Sequence, residues 1–313
     1  SLPSGVQNRN HSGTLIFILL GFPGHQYLKM SLFTLFFIMY MLAILGNFSI
    51  MVLVRSHPRL HTPMYFFLCN LSFLEIWYTT ACVPKALAVL LGGDPTISFD
   101  NCLLQMYVVF SLGCTEYFLL AAMAYDRCLA ICFPLHYNSI MNRTLLTQLA
   151  FGSWLCGFLS ITIPTYLIST LSFCGHNVIN HFFCDIAPWI VLSCTDTSLV
   201  ELVAFIISFI VILGSCTITL VSYICIISTI LRIPSAIDQK RVFSTCSSHL
   251  TVVLIWYGST IFLHVKPSIK DSLDLSKAVH VLNTIVTPFL NPFIYSLRNK
   301  EVKKALKRTV HFK

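Results

Sequence analysis

The sequence predicts an all-α membrane protein, a seven-transmembrane helix bundle with a short amphipathic C-terminal helix. Three observations carry this expectation. The 313 residues are 56% hydrophobic, with mean hydropathy +0.78, and only 10% are charged. A soluble domain carries about 25% charged residues, so this chain could not cover itself with polar surface and lipid is the better solvent. Apolar runs long enough to span recur seven times. Basic residues gather in alternate connections between those runs.

The runs fall at 28–54, 62–90, 99–132, 145–168, 198–231, 240–264 and 274–296. Each meets the need of a spanning helix for about 20 residues. The sixth and seventh are interrupted by polar residues, which lipid tolerates where they face protein. Three regions follow: an N-terminal segment 1–27, the bundle 28–296 with a lid connection 169–197, and a tail 297–313. Residues 1–10 are polar and show no apolar core of a cleavable signal.

Charge sets the orientation. The connections after runs 1, 3 and 5 and the tail hold 14 of the 20 Lys and Arg residues, from Arg55 to Lys313, against three acids, Asp126, Asp238 and Glu301, a net of 14 − 3 = +11. The remaining 6 basic residues face 7 acids, and Glu75 and Glu116 fall inside runs, which restores the total of +8. The basic side is expected in the cytoplasm and the N-terminus outside. These juxtamembrane charges point to anionic lipid and not to nucleic acid. In the tail, Val302, Ala305, Leu306 and Val310 share one helical face among lysines, the pattern of a helix lying on the membrane surface. The sequon Asn10-His11-Ser12 lies outside and is an expected glycosylation site. Asn142-Arg143-Thr144 lies inside and is expected unmodified.

The lid connection holds Cys174, Cys184 and Cys194, and Cys102 opens the third run on the same side. Four cysteines allow three pairings, in a compartment that permits disulfides. Cysteines within the runs, such as Cys69 and Cys156, read as small hydrophobes.

Polar groups inside the runs are the next signal. Glu116 lies 14 residues below Cys102, about 21 Å along a helix, and Glu75 is near the middle of run 2. Asn47 and Asn291 sit at comparable depth. Together they form either an internal polar hub, able to hold a proton or a sodium ion, or a hydrogen-bonded network that fixes helix order. Run 7 carries Pro288 and Pro292, each of which removes a helix hydrogen bond and favours a kink. Asn291 is expected to satisfy a freed carbonyl. Asp126 and Arg127 end run 3, where the acid either clamps the base or caps a helix.

Six stretches in order resemble the rhodopsin-like G-protein-coupled receptors, and among them the olfactory receptors. They are Gly46-Asn47, PMYFFLCNLSFLE (63–75), MAYDRCLAICFPLHY (123–137), Ser222-Tyr223, KRVFSTCSSHL (240–250) and PFLNPFIYSLRN (288–299). The resemblance covers roughly 20–306. The long lid and its HFFCD resemble the tetrapod-type class. Two positions depart from the pattern: Cys128 stands where the family has Tyr after Asp-Arg, and Glu75 where it has Asp. The longer side chain puts a cation site in question.

The resemblance implies a plasma-membrane receptor of olfactory cilia. A small, mainly apolar volatile would trigger it, a stimulatory olfactory-type G protein would couple to it, and cyclic AMP would rise. It implies the pairs Cys102–Cys184 and Cys174–Cys194. It assigns the inner switch to Asp126 and Arg127, with Tyr223 and Tyr295 reorganising around Arg127, and with Asn291, Pro292, Lys240 and Arg241 taking part. The ligand would lie under the lid. On run 3, Val109, Phe110, Gly113, Cys114 and Tyr117 share one helical face. Ile207, Tyr257, Thr260, Ile261, His264 and Thr284 complete the expected pocket. Contact with lipid or a neighbouring helix is the plain alternative for each. Val109 offers no carboxylate for an ammonium, so aliphatic amines are expected to be poor ligands. No HExxH or GxSxG is present, and no enzymatic activity is expected. The competing class is a transporter or channel of small solutes using Glu75 and Glu116. It lacks the half-to-half repeat such proteins often show.

Overall fold

In the computed structural model, which describes residues 15–174, 176–265, 273–298 and 302, each of the seven apolar runs is helical. We number the spans by chain order. Spans 1 to 6 are Gln26–Ser56, Pro63–Leu90, Phe99–Cys132, Arg143–Ser169, Ser198–Leu231 and Ala236–Val265. Span 7 runs through three pieces: Leu273–Val281, a π-helical turn Leu282–Val286, and Thr287–Arg298. Spans 1 to 5 are long and apolar enough to cross a membrane by composition alone. Span 6 begins at Ala236, four residues before the apolar run. Its first turns carry Asp238 and Lys240, which a helix projecting beyond the hydrocarbon tolerates.

Local chemistry sets the helix starts. Pro63 opens span 2, where its missing N–H costs nothing. Ser98 caps span 3 by accepting from the Asn101 amide. Asn142 caps span 4 by accepting from the Leu145 amide at 2.9 Å. The side chain of the inner sequon therefore has a structural task. Asn10 lies outside the described residues, as does the tail beyond Arg298 apart from Val302, which is helical and buried.

Span 3 is the central post, packed against spans 2, 4 and 5, while span 1 packs against spans 2 and 7. Two glycines allow close approach. A Cβ on Gly157 of span 4 would run into the Thr115 side chain and lie 2.9 Å from the Ser111 carbonyl. One on Gly46 would lie 2.9 Å from Pro292. Span 5 shows the opposite character. Phe205, Phe209, Ile210 and Ile224 are exposed, as expected of a helix whose outer face meets lipid.

The lid end is more ordered than a loop. β1 (Ile16–Leu19) is the centre of a three-stranded sheet, between antiparallel β2 (Thr96–Ser98) and parallel β3 (Val178–Ile179). Phe17, Phe99, Phe173 and Trp189 pack beneath it, with ring centroids 5.0 to 6.4 Å apart. A short helix, Ile186–Leu192, carries the fully buried Trp189. Residues 15–19 are thus part of the lid and not a free leader.

Candidate functional site

Disulfides and side-chain hydrogen bonds hold the lid together and to the bundle. Cys102 is bonded to Cys184, and Cys174 to Cys194. Gln105 of span 3 accepts from the Cys184 amide at 2.9 Å and donates to the Ala81 carbonyl at 2.8 Å, joining lid, span 3 and span 2. Lys277 of span 7 is buried and donates to Asn180 Oδ1 at 2.6 Å and to the Gly21 carbonyl at 3.2 Å. His181 lies close to Lys277. Burial pushes its pKa down to about 3, so the ring is neutral at physiological pH.

Beneath the lid is a cavity of about 160 Å³. Span 3 contributes Val109, Phe110, Gly113, Cys114 and Tyr117, span 5 contributes Ile207, and span 6 contributes Thr260. These seven are among the residues the sequence nominated, and the structure brings them together. Tyr117 donates to Thr260, whose hydroxyl donates in turn to the Trp256 carbonyl at 3.0 Å. The remaining nominees lie elsewhere. Ile261 is 51% exposed on the outer face of span 6 and does not line the cavity. Thr284 is buried against its own helix, donating to the His280 carbonyl at 2.7 Å. Tyr257 supports the wall from behind, its ring 5.3 Å from that of Tyr117. The side chain of His264 lies outside the described residues.

Sequence reasoning missed part of the lining: Phe183 and Ile186 from the lid, Ile161 and Pro164 from span 4, Ser208 from span 5, and His280 and Asn283 from span 7. The π-helical turn contains Asn283, which accepts from Ser259 at 2.9 Å. A larger groove of about 630 Å³ between spans 2 and 3 has Trp77 and Leu104 exposed along it. It is more open than the cavity under the lid.

Midway down the bundle, Asn291 donates to Glu75. Glu75 and Glu116 are both buried and close enough to interact electrostatically. Glu75 Oε2, both Glu116 oxygens and Asn291 Oδ1 have no hydrogen-bond partner among the described residues. Asn47 has a different task from the one expected. It donates to the Pro288 carbonyl at 3.1 Å. That carbonyl lies four residues before Pro292 and has lost its helical donor. Asn47, not Asn291, therefore satisfies the freed carbonyl, because Asn291 is already engaged with Glu75.

At the end opposite the lid, Asp126 is buried and accepts from the Tyr137 hydroxyl at 2.7 Å. Among the described residues it makes no ion pair with Arg127, so the acid anchors the short helix Tyr137–Ile140 to span 3. Tyr223 of span 5 pairs with His249 of span 6 at 2.6 Å, and His249 Nε2 donates to the Leu120 carbonyl of span 3 at 3.1 Å. The carbonyl can only accept, so the proton sits on Nε2 and Nδ1 accepts from the tyrosine. Ser248 donates to the Ile294 carbonyl of span 7 at 3.1 Å. Tyr295 is buried and, like Tyr223, lies within electrostatic reach of Arg127. Cys128, in the departing position, has its sulfur 3.9 Å from that of Cys132, which accepts from Thr229 at 3.2 Å. Lys240 is exposed, and the side chain of Arg241 lies outside the described residues.

A family model described as "Olfactory receptor" matches residues 36–313. The chain belongs to the olfactory receptor family. It is 72% identical to human "Olfactory receptor 6F1", over 93% of this chain and 94% of that one. It is 69% identical to rat "Olfactory receptor 287", with 94% of each chain covered. Squid rhodopsin superposes with a TM-score of 0.72 at 15% identity, covering 92% of this chain and 82% of that one, which shows the shared seven-helix fold. An olfactory receptor is a non-enzymatic G-protein-coupled receptor that takes a small apolar ligand within its bundle, and this membership decides against a solute transporter. Sequence reasoning also missed the linking roles of His249, Ser248 and Tyr137. A lone histidine in an apolar stretch carries no signal of its own, and its role appears only when three helices meet around it.

Proposed function

We propose that this receptor is activated by a small, mainly apolar odorant held in the cavity under the lid, and that it activates a stimulatory olfactory-type G protein to raise cyclic AMP. The observation that carries the reading is the cavity of about 160 Å³ under the lid, mainly apolar, with Tyr78, Tyr117, Ser208, Thr260, His280 and Asn283 among its hydrogen-bonding groups. An apolar cavity of about 150 Å³ takes up benzene, so the fit is to a ligand of about that size with one or two hydrogen-bonding groups. Val109 at the cavity wall supplies no carboxylate, which disfavours aliphatic amines. The lid and segment 1–27 face outward, with Asn10 glycosylated. The bundle 28–296 spans the plasma membrane of olfactory cilia. The tail 297–313 lies on the inner surface.

Coupling runs through the opposite end. Ligand contact with Tyr117 and Thr260 bears on spans 3 and 6. Those spans are joined at the other end by the Tyr223–His249–Leu120 bridge. Opening that bridge frees span 6, with Lys240 and Arg241, from span 3 and gives a G protein access to Arg127. Asn291, Pro292 and Tyr295 repack span 7 in the same step. The hub offers four unpartnered oxygens, from Glu75, Glu116 and Asn291, to a proton or a sodium ion. A bound cation would hold spans 2, 3 and 7 in one arrangement.

The test is cyclic AMP production across a panel of volatile odorants in cells expressing the receptor with that G protein. Arg127→Ala at matched surface expression runs in parallel. A dose-dependent rise that vanishes in Arg127→Ala is expected. An odorant that binds the purified receptor yet raises no cyclic AMP would refute the assigned G protein.

A further inference from the structure

We propose that the groove between spans 2 and 3 is a lipid-facing site for a long-chain fatty acid, with its carboxylate on Lys85 and its chain running along Trp77 and Leu104. The groove holds about 630 Å³. Trp77 is 54% exposed and Leu104 60% exposed along it. An exposed apolar face on two spanning helices meets the acyl chains of the bilayer. The polar groups of the groove are gathered at one end. Gln105 of span 3 donates to the Ala81 carbonyl of span 2, which sets the two helices in register. Above that level, toward the lid, lie Lys85, Thr96, Ser98 and Asn101. Below it lie Ile76, Trp77 and Val108. Trp77 and Lys85 are separated by about 12 Å along span 2. The groove therefore has a cationic, polar end and an apolar end, matching the two ends of an amphiphile.

Lys85 supplies the charge. Its ammonium carries three N–H donors. It donates to the Asp94 carbonyl at 2.9 Å and to the Thr96 carbonyl at 2.7 Å. Those bonds account for a lysine near the end of a span, but carbonyls do not neutralise its charge. Among the described residues Lys85 makes no ion pair. The Asp94 carboxylate is taken up instead by the Thr96 amide at 2.9 Å and the Thr96 hydroxyl at 2.8 Å, which hold it below the ordinary carboxylate range. Asp94 is exposed, so water and salt screen the opposition it offers to a second anion. One cation calls for one anion. A phosphocholine headgroup would set a second cation against Lys85, and a sterol hydroxyl would leave the charge without a counterion. A fatty-acid carboxylate does neither, and it accepts a charge-assisted bond from the third N–H. Gln105 lines the same groove and accepts from the Cys184 amide. An occupant would thus brace the joint between lid, span 3 and span 2.

The site does not depend on which odorant or G protein the receptor takes, and its test reads the lipid directly. The full-length receptor is placed in nanodiscs of neutral phosphatidylcholine with myristate that carries a photoreactive diazirine on its chain. Saturable labelling of spans 2 and 3 near Trp77 and Leu104 is expected. Unlabelled myristate should block it, and methyl myristate and cholesterol should not. Lys85→Gln should weaken labelling at least about tenfold, and Lys85→Arg, which keeps the charge, should retain most of it. To guard against a Lys85 variant that folds poorly, Thr80→Trp fills the groove from an exposed position and should abolish labelling. In the wild type, myristate should raise the thermal midpoint and its methyl ester should not. Equal competition by methyl myristate or cholesterol, labelling confined to other spans, or labelling unchanged in both Lys85→Gln and Thr80→Trp would overturn the proposal.

Discussion

At the residue scale, the deeply buried polar groups are specialised. Asn47 repairs the backbone that Pro292 breaks, and Asn291 serves Glu75. The unpartnered oxygens of Glu75 and Glu116 define the cation prediction. Sodium should raise the thermal midpoint of the purified receptor relative to a bulky organic cation at equal ionic strength. Glu75→Gln with Glu116→Gln should abolish that difference. Equal midpoints in both salts would leave the hub as a packing network. Gly157 shows the same economy in reverse, since its missing side chain admits span 4 to span 3. Gly157→Ala must push apart Thr115 and the Ser111 backbone. Overpacking of this kind costs about 1–3 kcal/mol, which should appear as a lowered thermal midpoint and reduced surface expression.

At the element scale, three helices meet at one imidazole. His249 on span 6 joins Tyr223 on span 5 to the backbone of span 3. All three partners are buried, and stranding a buried hydrogen-bonding group costs about 1–3 kcal/mol. His249→Phe keeps a flat ring but can neither accept from Tyr223 nor donate to Leu120. Ligand-free signalling should therefore rise about fivefold to a hundredfold, read as basal cyclic AMP per receptor at the surface. Unchanged basal output in a well-expressed variant would mean that the bridge does not hold the resting state. Span 7 adds a second device of this kind. Its π-helical turn lies directly above Pro288 and places Asn283 at the cavity wall. The two prolines marked the hydrogen bonds this helix lacks. They did not mark the π-helical turn before them.

At the scale of the whole molecule, the cavity connects lid to bundle. Gly113→Leu should fill much of its volume and abolish response to an agonist, or raise its half-maximal concentration at least about a hundredfold. Ile261→Ala on the outer face should leave that concentration within about twofold. The pair separates a pocket in this place from one displaced toward the outer face of span 6. Equal effects of both substitutions would sink the cavity as the ligand site.

The sequence by itself determined the seven spans, because hydrocarbon demands a long apolar helix and few other patterns satisfy it. The charge asymmetry, the candidate cysteines and the run 3 face of the cavity were legible for similarly local reasons. A helical face follows from spacing alone, and five neighbours from Val109 to Tyr117 share one. Only the tertiary structure decided which residues of the other helices meet that face. Rotation of a span about its own axis is set by packing, so Ile261 turns to lipid while Ile161, Ser208 and Asn283 turn inward. The β1 strand at residues 16–19 was equally hidden, since its partners lie about 80 and 160 residues away and a four-residue strand has no stability of its own.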